Sequence, residues 1–283
     1  MYKRLIEKSN SGEELQKHID KLKYCASMRY ENKDPLKRFL KKEFGDGDDG
    51  MIYITGDTHG DFDRIEEFCE LYGTTQEDDI MIILGDAGIN YHLDDRDVQL
   101  KDELVQLPVT LFCIHGNHEE RPSNIQGYEE KQWHGGTVLY EEDYPNILFA
   151  QDGEIYDFDG KKAIVIGGAY SVDKYYRLRN GMPWFDSEQP DEWIRDYVET
   201  QLEKVQWSVN YVFSHTVPLP YEPREAFLPY IDQRTVDKST EKWLDAIESR
   251  LNYENWYAGH YHLDWCLDRV RILYEDFLEL ETD

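Results

Sequence analysis

The chain has 283 residues, of which 40% are hydrophobic, and its 21 tyrosines and 7 tryptophans predict a folded protein, which excludes wholesale disorder. This length accommodates one large domain with an appendage or two small domains. The net charge of −28 disfavours a function that depends on gripping long nucleic-acid backbones, because such binding needs Lys and Arg to neutralise phosphates.

The cysteines and the apolar runs indicate the cellular compartment of the protein. The sequence has no run of about 18 apolar residues, so no membrane-spanning segment is predicted, and its start lacks the apolar region of a signal peptide. The four cysteines include no CxxC pair, and Cys69 and Cys113 lie within apolar segments. The expectation is therefore a reduced, cytoplasmic protein.

Basic residues are concentrated at the start of the chain. Residues 1–44 carry 12 Lys/Arg against 7 Asp/Glu, and the remaining residues carry 19 against 52. A Gly/Asp-rich segment at 45–50 then marks a boundary. Helical patterns predict an N-terminal helical extension over residues 1–48, ahead of a main domain over 51–283. The basic residues of the extension either dock on the acidic body or form a solvated helical face, and the second interpretation is favoured.

After this boundary, apolar runs alternate with helical patterns. Segments 51–56, 80–85 and 109–116 predict strands, and segments 61–73 and 94–107 predict the helices between them. This β-α-β-α-β order implies parallel strands with right-handed crossovers. Further strands are predicted at 146–151, 153–159, 162–168, 210–215, 255–260 and 262–268, and further helices at 188–206 and 238–251. The last strands look hairpin-like, so a mixed sheet system is predicted.

Polar side chains follow five of these strands at their carboxyl ends, the edge where open α/β sheets bind ligands. They are Asp57 with His59, Asp86, Asn117 with His118, His215, and His260 with His262. Five of the nine histidines occupy these positions, and core or solvated histidines would have no reason to be distributed in this way.

Each of these segments is weak evidence alone, because an Asp-x-His after a strand is more often a turn or a helix cap than a ligand. Together they mix carboxylate and amide oxygens with imidazoles, and no thiolate joins them. Zn, Mn or Fe suit such a set better than Ca does. The sequence therefore predicts a metal site at these strand ends.

The segments GDTHG, GDAG, GNHE, SH and GHYH resemble, in their order and in their position after strands, the motifs of the calcineurin-like metallophosphoesterases. The resemblance covers roughly residues 51–276. It implies an α/β fold of two packed mixed β-sheets flanked by helices, in four α/β/β/α layers, with the site at the strand ends. The main domain is then the metallophosphoesterase domain.

The resemblance also implies a role for each residue. One metal would be held by Asp57, His59 and His262, a second by Asn117, His215 and His260, and Asp86 would bridge both. The implied cofactors are two divalent ions from Mn, Fe, Zn, Ni or Mg, with Mn favoured, and a metal-bound hydroxide would attack the phosphate. His118 would not be a ligand but would act as general acid or stabilise transition-state charge.

The second motif departs from the protein Ser/Thr phosphatase branch of this family, which continues as GDxxDRG where this chain reads GDAGIN. The Asp that would orient His118 and the phosphate-binding Arg are both missing, so phosphoprotein phosphatase activity is not expected. Glu119 and the carboxylates within 94–97 are the candidates for orienting His118, and the sequence does not decide between them.

Two cations follow the strand predicted at 162–168. Lys174 and Arg177, on a predicted loop at 169–177, would bind substrate if the loop reaches the metals, and otherwise would pair with surface carboxylates. The expected substrate is a small phosphomonoester or a nucleotide-like phosphodiester, and nucleic acid is disfavoured. The alternatives are a nuclease, because DNA-processing members share these motifs, and a non-catalytic scaffold, which the complete ligand set disfavours.

Overall fold

The computed structural model describes residues 50–280, so the predicted extension over 1–48 lies outside the described residues. Within 50–280 the strands are β1 Ile52–Thr55, β2 Ile80–Ile83, β3 Thr110–Cys113, β4 Glu129–Trp133, β5 Gly136–Tyr140, β6 Ile147–Ala150, β7 Ile155–Phe158, β8 Lys161–Ile166, β9 Tyr211–Ser214, β10 Asn255–Ala258, β11 Trp265–Leu267, β12 Val270–Ile272 and β13 Leu278–Glu279. The helices are α1 Asp63–Tyr72, α2 Asp95–Leu104, α3 Lys174–Asn180, α4 Glu192–Lys204 and α5 Ser239–Glu248. No helix in this part of the chain is long and apolar enough to cross a membrane.

The strands form two mixed sheets. The first has the order β13-β1-β2-β3-β6-β5-β4, in which β1, β2, β3 and β6 are parallel and the other three strands are antiparallel to their neighbours. The second has the order β11-β12-β10-β9-β8-β7, with β8, β9, β10 and β12 parallel. The parallel strands bring their carboxyl ends to one edge of each sheet.

The alternation of side chains along each strand divides the core into three layers. In β1, Ile52 and Ile54 point into a central core that includes Phe213 of the second sheet. Tyr53, between them, points to the opposite face and packs with the apolar side of α1. A third core joins the outer face of the second sheet to α4 and α5, for example through Trp256. This four-layer α/β/β/α order confirms the predicted fold.

Local signals set the limits of several helices. Helix α1 ends at Gly73, whose φ of 61° is in the left-handed region that favours glycine. Helix α2 begins after Asp94, which accepts a hydrogen bond from the main-chain N–H of Arg96. Helix α4 begins after Asp191, which accepts one from the N–H of Ile194. These short polar residues satisfy helix N–H groups that have no partner within the helix.

The predicted segments match observed strands and helices, with two kinds of difference. The strands β4, β5, β12 and β13 were not predicted. β4 has the sequence EEKQW and is largely exposed at a sheet edge, so it has no apolar run to reveal it. The prediction of a loop over 169–177 was wrong in part, because α3 begins at Lys174.

Candidate metal centre

The polar segments predicted to meet at strand ends do meet in the structure. Asp57, Asp86 and Asn117 follow β1, β2 and β3 of the first sheet, and His215 and His260 follow β9 and β10 of the second. The packed sheets bring these ends together. The centre is thus built on rigid strand ends and assembled from both sheets.

Glycines permit the close approach of the segments. A Cβ on Gly116 would lie 2.0 Å from Asp86 Oδ1, and a Cβ on Gly85 would lie 2.1 Å from His215 Nδ1. Gly85 also has a φ of 93°, which residues with side chains rarely adopt. The glycines before Asp86 and Asn117 are therefore required by the packing of the centre.

Asp57, His59 and His262 form one compact cluster whose ligand atoms lie within 4.8 Å of one another. The Nε2 atoms of His59 and His262 are 2.9 Å apart, and Asp57 Oδ2 lies 3.3 Å from His262 Nε2. Asp57 is buried, and its Oδ1 accepts a hydrogen bond from the N–H of His260. The main chain therefore fixes the carboxylate while Oδ2 faces the two imidazoles.

Asp57, Asp86 and His215 form a second, fully buried cluster, also within 4.8 Å. His215 Nε2 lies 3.6 Å from Asp86 Oδ2 and 2.8 Å from Asn117 Oδ1, while its Nδ1 is 2.8 Å from the carbonyl of Leu84. Nδ1 donates to this carbonyl, and Nε2 faces the oxygens of Asn117 and Asp86. Burial lowers the pKa of His215, but Asp86 and Asp57 outweigh it and raise the pKa to about 9, so His215 would release a proton on binding an ion.

Asp86 belongs to the second cluster and also approaches the first, and Asp57 belongs to both. Its Oδ2 is 4.0 Å from His59 Nε2 as well as 3.6 Å from His215 Nε2. Its Oδ1 accepts hydrogen bonds of 2.7 Å from the N–H groups of both Asn117 and His118. One oxygen of this carboxylate is thus fixed by the main chain, and the other faces imidazoles on both sides.

His260 lies beside these clusters, with its ring centroid 4.9 Å from that of His215, but neither compact group includes it. His59, Asp86, His260 and His262 all have φ values between 49° and 71°, in the left-handed region. Non-glycine residues pay a conformational cost there, which the surrounding structure must offset. Backbone strain of this kind is often found at functional sites, and here these four residues have side chains that converge at the centre.

Charges in the centre keep its carboxylates ionised. Burial alone raises the pKa of Asp86, but His215 and the other nearby imidazoles lower it well below its usual range. The pKa of Asp57 is also lowered, because His262 and His215 outweigh the effect of burial. Burial lowers the pKa of His260 to about 3, so this imidazole is neutral at pH 7. Ionised carboxylates and neutral imidazoles are the metal-binding forms.

His118 stands at the rim of the centre, with its ring centroid 5.3 Å from that of His59. Its pKa is lowered, chiefly by burial, with Asp86 opposing the shift. The carboxylate that faces it is Asp173, whose Oδ1 lies 4.0 Å from His118 Nε2. Asp173 precedes α3 but its side chain makes no capping hydrogen bond, and the buried Oδ1 has no hydrogen-bond partner among residues 50–280.

Asp173 was missed in the sequence, because neither its segment nor its distance along the chain links it to His118. The sequence candidates have other partners. Glu119 accepts hydrogen bonds from the N–H groups of Gly116 and Gly88. Asp97 accepts hydrogen bonds from the N–H groups of His92 and Leu93. Both carboxylates therefore stabilise loops around the centre by accepting hydrogen bonds from their main-chain N–H groups.

Lys174 and Arg177 have different surroundings. Lys174 Nζ lies 4.4 Å from the centre of the Trp184 ring. Arg177 is fully buried, and its Nη1 is 3.4 Å from Ser171 Oγ, which in turn accepts a hydrogen bond from Asn117 Nδ2. Within residues 50–280, no partner satisfies Arg177 Nε or Nη2. The structure therefore connects Arg177, and not Lys174, to the centre.

An open cleft of about 400 Å³ adjoins the centre. Its lining includes His59 and His118 at one side, with Tyr91, Arg96 and Leu100 contributed by α2 and the loop before it. Ligand pockets of small molecules occupy roughly 300–1,000 Å³. The cleft therefore has the size of a small-substrate site.

The four-layer fold and the clustered Asp, Asn and His side chains are those of a metal-dependent phosphoester hydrolase. A family model described as calcineurin-like phosphoesterase matches residues 50–264. The chain belongs to this family, which confirms the resemblance seen in the motifs. The family implies divalent metal ions.

Two solved structures are similar to this chain. TT1561 of Thermus thermophilus has 11% identity and a TM-score of 0.45, over 83% of this chain and 100% of that one. The phosphopantetheinyl hydrolase PptH of Mycobacterium tuberculosis has 15% identity and a TM-score of 0.46, over 81% and 89%. Neither likeness bears on the substrate at these scores. Comparison with curated proteins gives no match.

Proposed function

We propose that the protein is a binuclear metal-dependent phosphoesterase that hydrolyses a small phosphomonoester or a nucleotide-like phosphodiester. The observation that carries the proposal is the convergence of two ligand clusters, with Asp86 facing both. Membership of the calcineurin-like phosphoesterase family supports the reaction class. His118 beside the clusters supports catalysis over a scaffold function.

The donor set fits two divalent ions. Asp57 Oδ2 is buried, has no hydrogen-bond partner of good geometry within the described residues and lies 3.3 Å from His262 Nε2, so an ion between the two would satisfy it. We assign Asp57, His59 and His262 to the first ion, Asn117, His215 and His260 to the second, and Asp86 to both. When bound, the ions would lower the pKa of a bound water and neutralise phosphate oxygens. The mixture of oxygen and imidazole ligands favours Mn, Fe, Zn or Ni over Ca, and Mn is our first choice.

His118 has the position of a proton donor to the leaving oxygen. Its main-chain N–H is held by Asp86, and its ring lies beside His59 at the edge of the cleft. A substrate in the cleft with its phosphate at the clusters therefore places its leaving group near His118. General acid help of this kind contributes about 10²–10⁴ in rate.

The size of the cleft and the charge of the chain favour a small substrate. Outside residues 1–44 the chain carries 19 basic against 52 acidic residues, so a polyanion is repelled over most of the surface. A nuclease remains the second candidate, because it would use the same clusters.

The direct test is a substrate panel of phosphomonoesters, cyclic nucleotides, dinucleoside polyphosphates and short DNA, assayed with Mn²⁺, Mg²⁺, Ni²⁺ and Zn²⁺. We expect the best small ester to exceed both a single strand and a short duplex in kcat/KM at physiological salt. If a nucleic acid gives the highest kcat/KM, the small-substrate proposal is wrong and the nuclease is preferred.

Asp173 should act through His118. Replacing Asp173 with Asn removes the charge that faces the imidazole, and we expect kcat to fall roughly 10–100-fold, the loss typical of carboxylates that orient imidazoles in metal sites. The loss should be largest for substrates with poor leaving groups, because they depend most on protonation. Asp173→Glu should recover part of the rate.

Asp191→Asn is the matched control, since Asp191 also precedes a helix but caps it with its own side chain. This variant should retain the wild-type rate. If Asp173→Asn lowers kcat equally for esters with good and with poor leaving groups, Asp173 only maintains the fold.

Replacing Arg177 and replacing Lys174 should have different effects on KM. The buried charge of Arg177, linked to Asn117 through Ser171, attracts the anionic substrate equally in its ground and transition states. We therefore expect Arg177→Met to raise KM more than it lowers kcat. Lys174→Met, the control, should change KM much less. Equal effects of the two variants on KM would contradict this assignment.

A further inference from the structure

Asn117 differs from the other proposed ligands, because its side chain can bind a cation in only one of two orientations. A carboxylate offers an oxygen on either side, whereas a side-chain amide has an oxygen on one side and an NH₂ group on the other. The two groups have nearly the same size, so packing alone does not choose between them. Rotation of the amide by 180° would turn its N–H bonds toward the ion. The centre therefore needs a group that holds the Asn117 amide in one orientation.

The two sides of this amide contact different groups. Asn117 Nδ2 donates a hydrogen bond of 2.9 Å to Ser171 Oγ, and Oδ1 lies 2.8 Å from His215 Nε2. The contact with His215 does not fix the amide when an ion is bound, because Nε2 then directs its lone pair at the ion. The main-chain N–H of Asn117 is held by Asp86, but this bond leaves the side chain free to rotate. The hydroxyl of Ser171 therefore remains to hold the amide.

A hydroxyl can donate as well as accept, so Ser171 selects one orientation only if its own proton points elsewhere. The Ser171 side chain also hydrogen-bonds with the carboxylate of Glu188, which only accepts when it is ionised. Burial raises the pKa of Glu188 to about 7, so the carboxylate is mostly ionised at pH 8. Arg177 Nη1, which only donates, lies 3.4 Å from the same Ser171 Oγ. The hydroxyl proton is therefore directed at Glu188, and its lone pairs face Asn117 and Arg177.

These groups are enclosed, and hydrogen bonds to the main chain fix their positions. Asn117, Ser171 and Glu188 are 2%, 1% and 4% exposed, so water does not compete for their hydrogen bonds. Glu188 Oε2 accepts a hydrogen bond from the N–H of Ser171, and the Glu188 carbonyl accepts one from the N–H of Ala169. Glu188 therefore holds the segment after β8 at two residues and sets the position of the Ser171 hydroxyl.

We propose that Ser171, held by Glu188, is a positioning residue that keeps the oxygen of Asn117 turned toward the second ion. This role rests on the proposed two-metal function, since it requires Asn117 to be a ligand. The first ion has other proposed ligands, so it should not depend on Ser171. The need for Ser171 should also disappear in the Asn117→Asp variant, because a carboxylate presents an oxygen to the ion in either orientation.

Calorimetric titration of the metal-free, full-length chain with Mn²⁺ at pH 8 tests this role, together with metal analysis of the loaded protein. Ser171→Ala should weaken binding of the second ion about 10–100-fold, the range for loss of a group that orients a ligand, and leave the first ion unchanged. In the Asn117→Asp background, adding Ser171→Ala should cause no further loss. Two residues that act through each other are expected to show this departure from additivity.

Thr240→Val is the matched control. Thr240 is buried, and its Oγ1 also accepts a hydrogen bond of 2.9 Å from a side-chain amide, that of Gln189. Gln189 adjoins Glu188 in the chain, so this control also measures the effect of loosening that segment. Thr240→Val should bind both ions as the wild-type protein does.

The other outcomes are distinct. If Ser171→Ala binds the second ion as tightly as the wild-type protein, the proposal is overturned. It is also overturned if Ser171→Ala costs as much affinity in the Asn117→Asp background, because Ser171 then only supports the fold. A wild-type chain that binds fewer than two ions would overturn the two-metal function itself, and the role of Ser171 with it.

Discussion

Replacing Asp86 with Asn is expected to lower metal content and phosphoesterase activity together. Asp86 Oδ2 faces both clusters, and Oδ1 is held by the N–H groups of Asn117 and His118. Asparagine keeps the shape but removes the negative charge that two cations would share. Because Asp86 is a proposed ligand, the loss should exceed the roughly 10–100-fold typical of groups that only support a ligand.

The measurement is metal content per chain after reconstitution, alongside kcat/KM. The wild-type protein should approach two ions per chain, and Asp86→Asn should bind fewer. Asp159→Asn is the control, because Asp159 is exposed and has a φ of 53°, close to the 49° of Asp86. Full activity of the wild-type protein after dialysis against a strong chelator would falsify the two-metal proposal.

Replacing His118 with Asn should remove catalysis and leave metal binding nearly intact. His118 lies beside the ligand clusters, but its ring belongs to neither compact group. The rate should fall about 10²–10⁴-fold, the range for loss of general acid–base help. Substrates with very good leaving groups should lose less, since their leaving oxygens need no proton.

The test measures metal content per chain and the rate for esters whose leaving groups range from good to poor. Together they show whether His118 is a proton donor or a metal ligand. His134→Asn is the control, since His134 is exposed and also has a positive φ, 47°. It should retain both metal and activity. If His118→Asn loses metal along with activity, His118 is a ligand and the division of roles given above is wrong.

The fold was predictable from sequence where side-chain patterns repeat along one segment. The apolar runs of β1, β2 and β3, and the helical patterns between them, depend only on neighbouring residues. The polar residues after these strands could be predicted to meet because parallel strands end at a common edge. The proposed ligand roles of Asp57, Asp86 and the other residues remain predictions, since the structure shows their convergence and not a bound ion.

Other features depend on contacts between distant segments, and no local pattern reveals them. Asp173 lies near His118 because the segment after β8 packs on the segment after β3, where Asn117 donates a hydrogen bond to Ser171. Arg177 was predicted on a loop where it would bind substrate or pair with surface carboxylates, yet it is buried and enclosed by Tyr91, Trp184 and Phe185. The strand β4 is polar and at an edge, so hydrophobicity gives no sign of it.

The proposed ligands come from the ends of strands in both sheets, and this has a thermodynamic consequence. An ion held by Asn117 of the first sheet and His215 of the second would cross-link the two layers, and it would bind only when they are packed. Its binding free energy is then part of the folding free energy, adding about 4 kcal/mol per site when free metal is 1,000 times its Kd. The melting temperature should therefore rise with the logarithm of free metal concentration, and a chelator in the buffer should act as a mild denaturant.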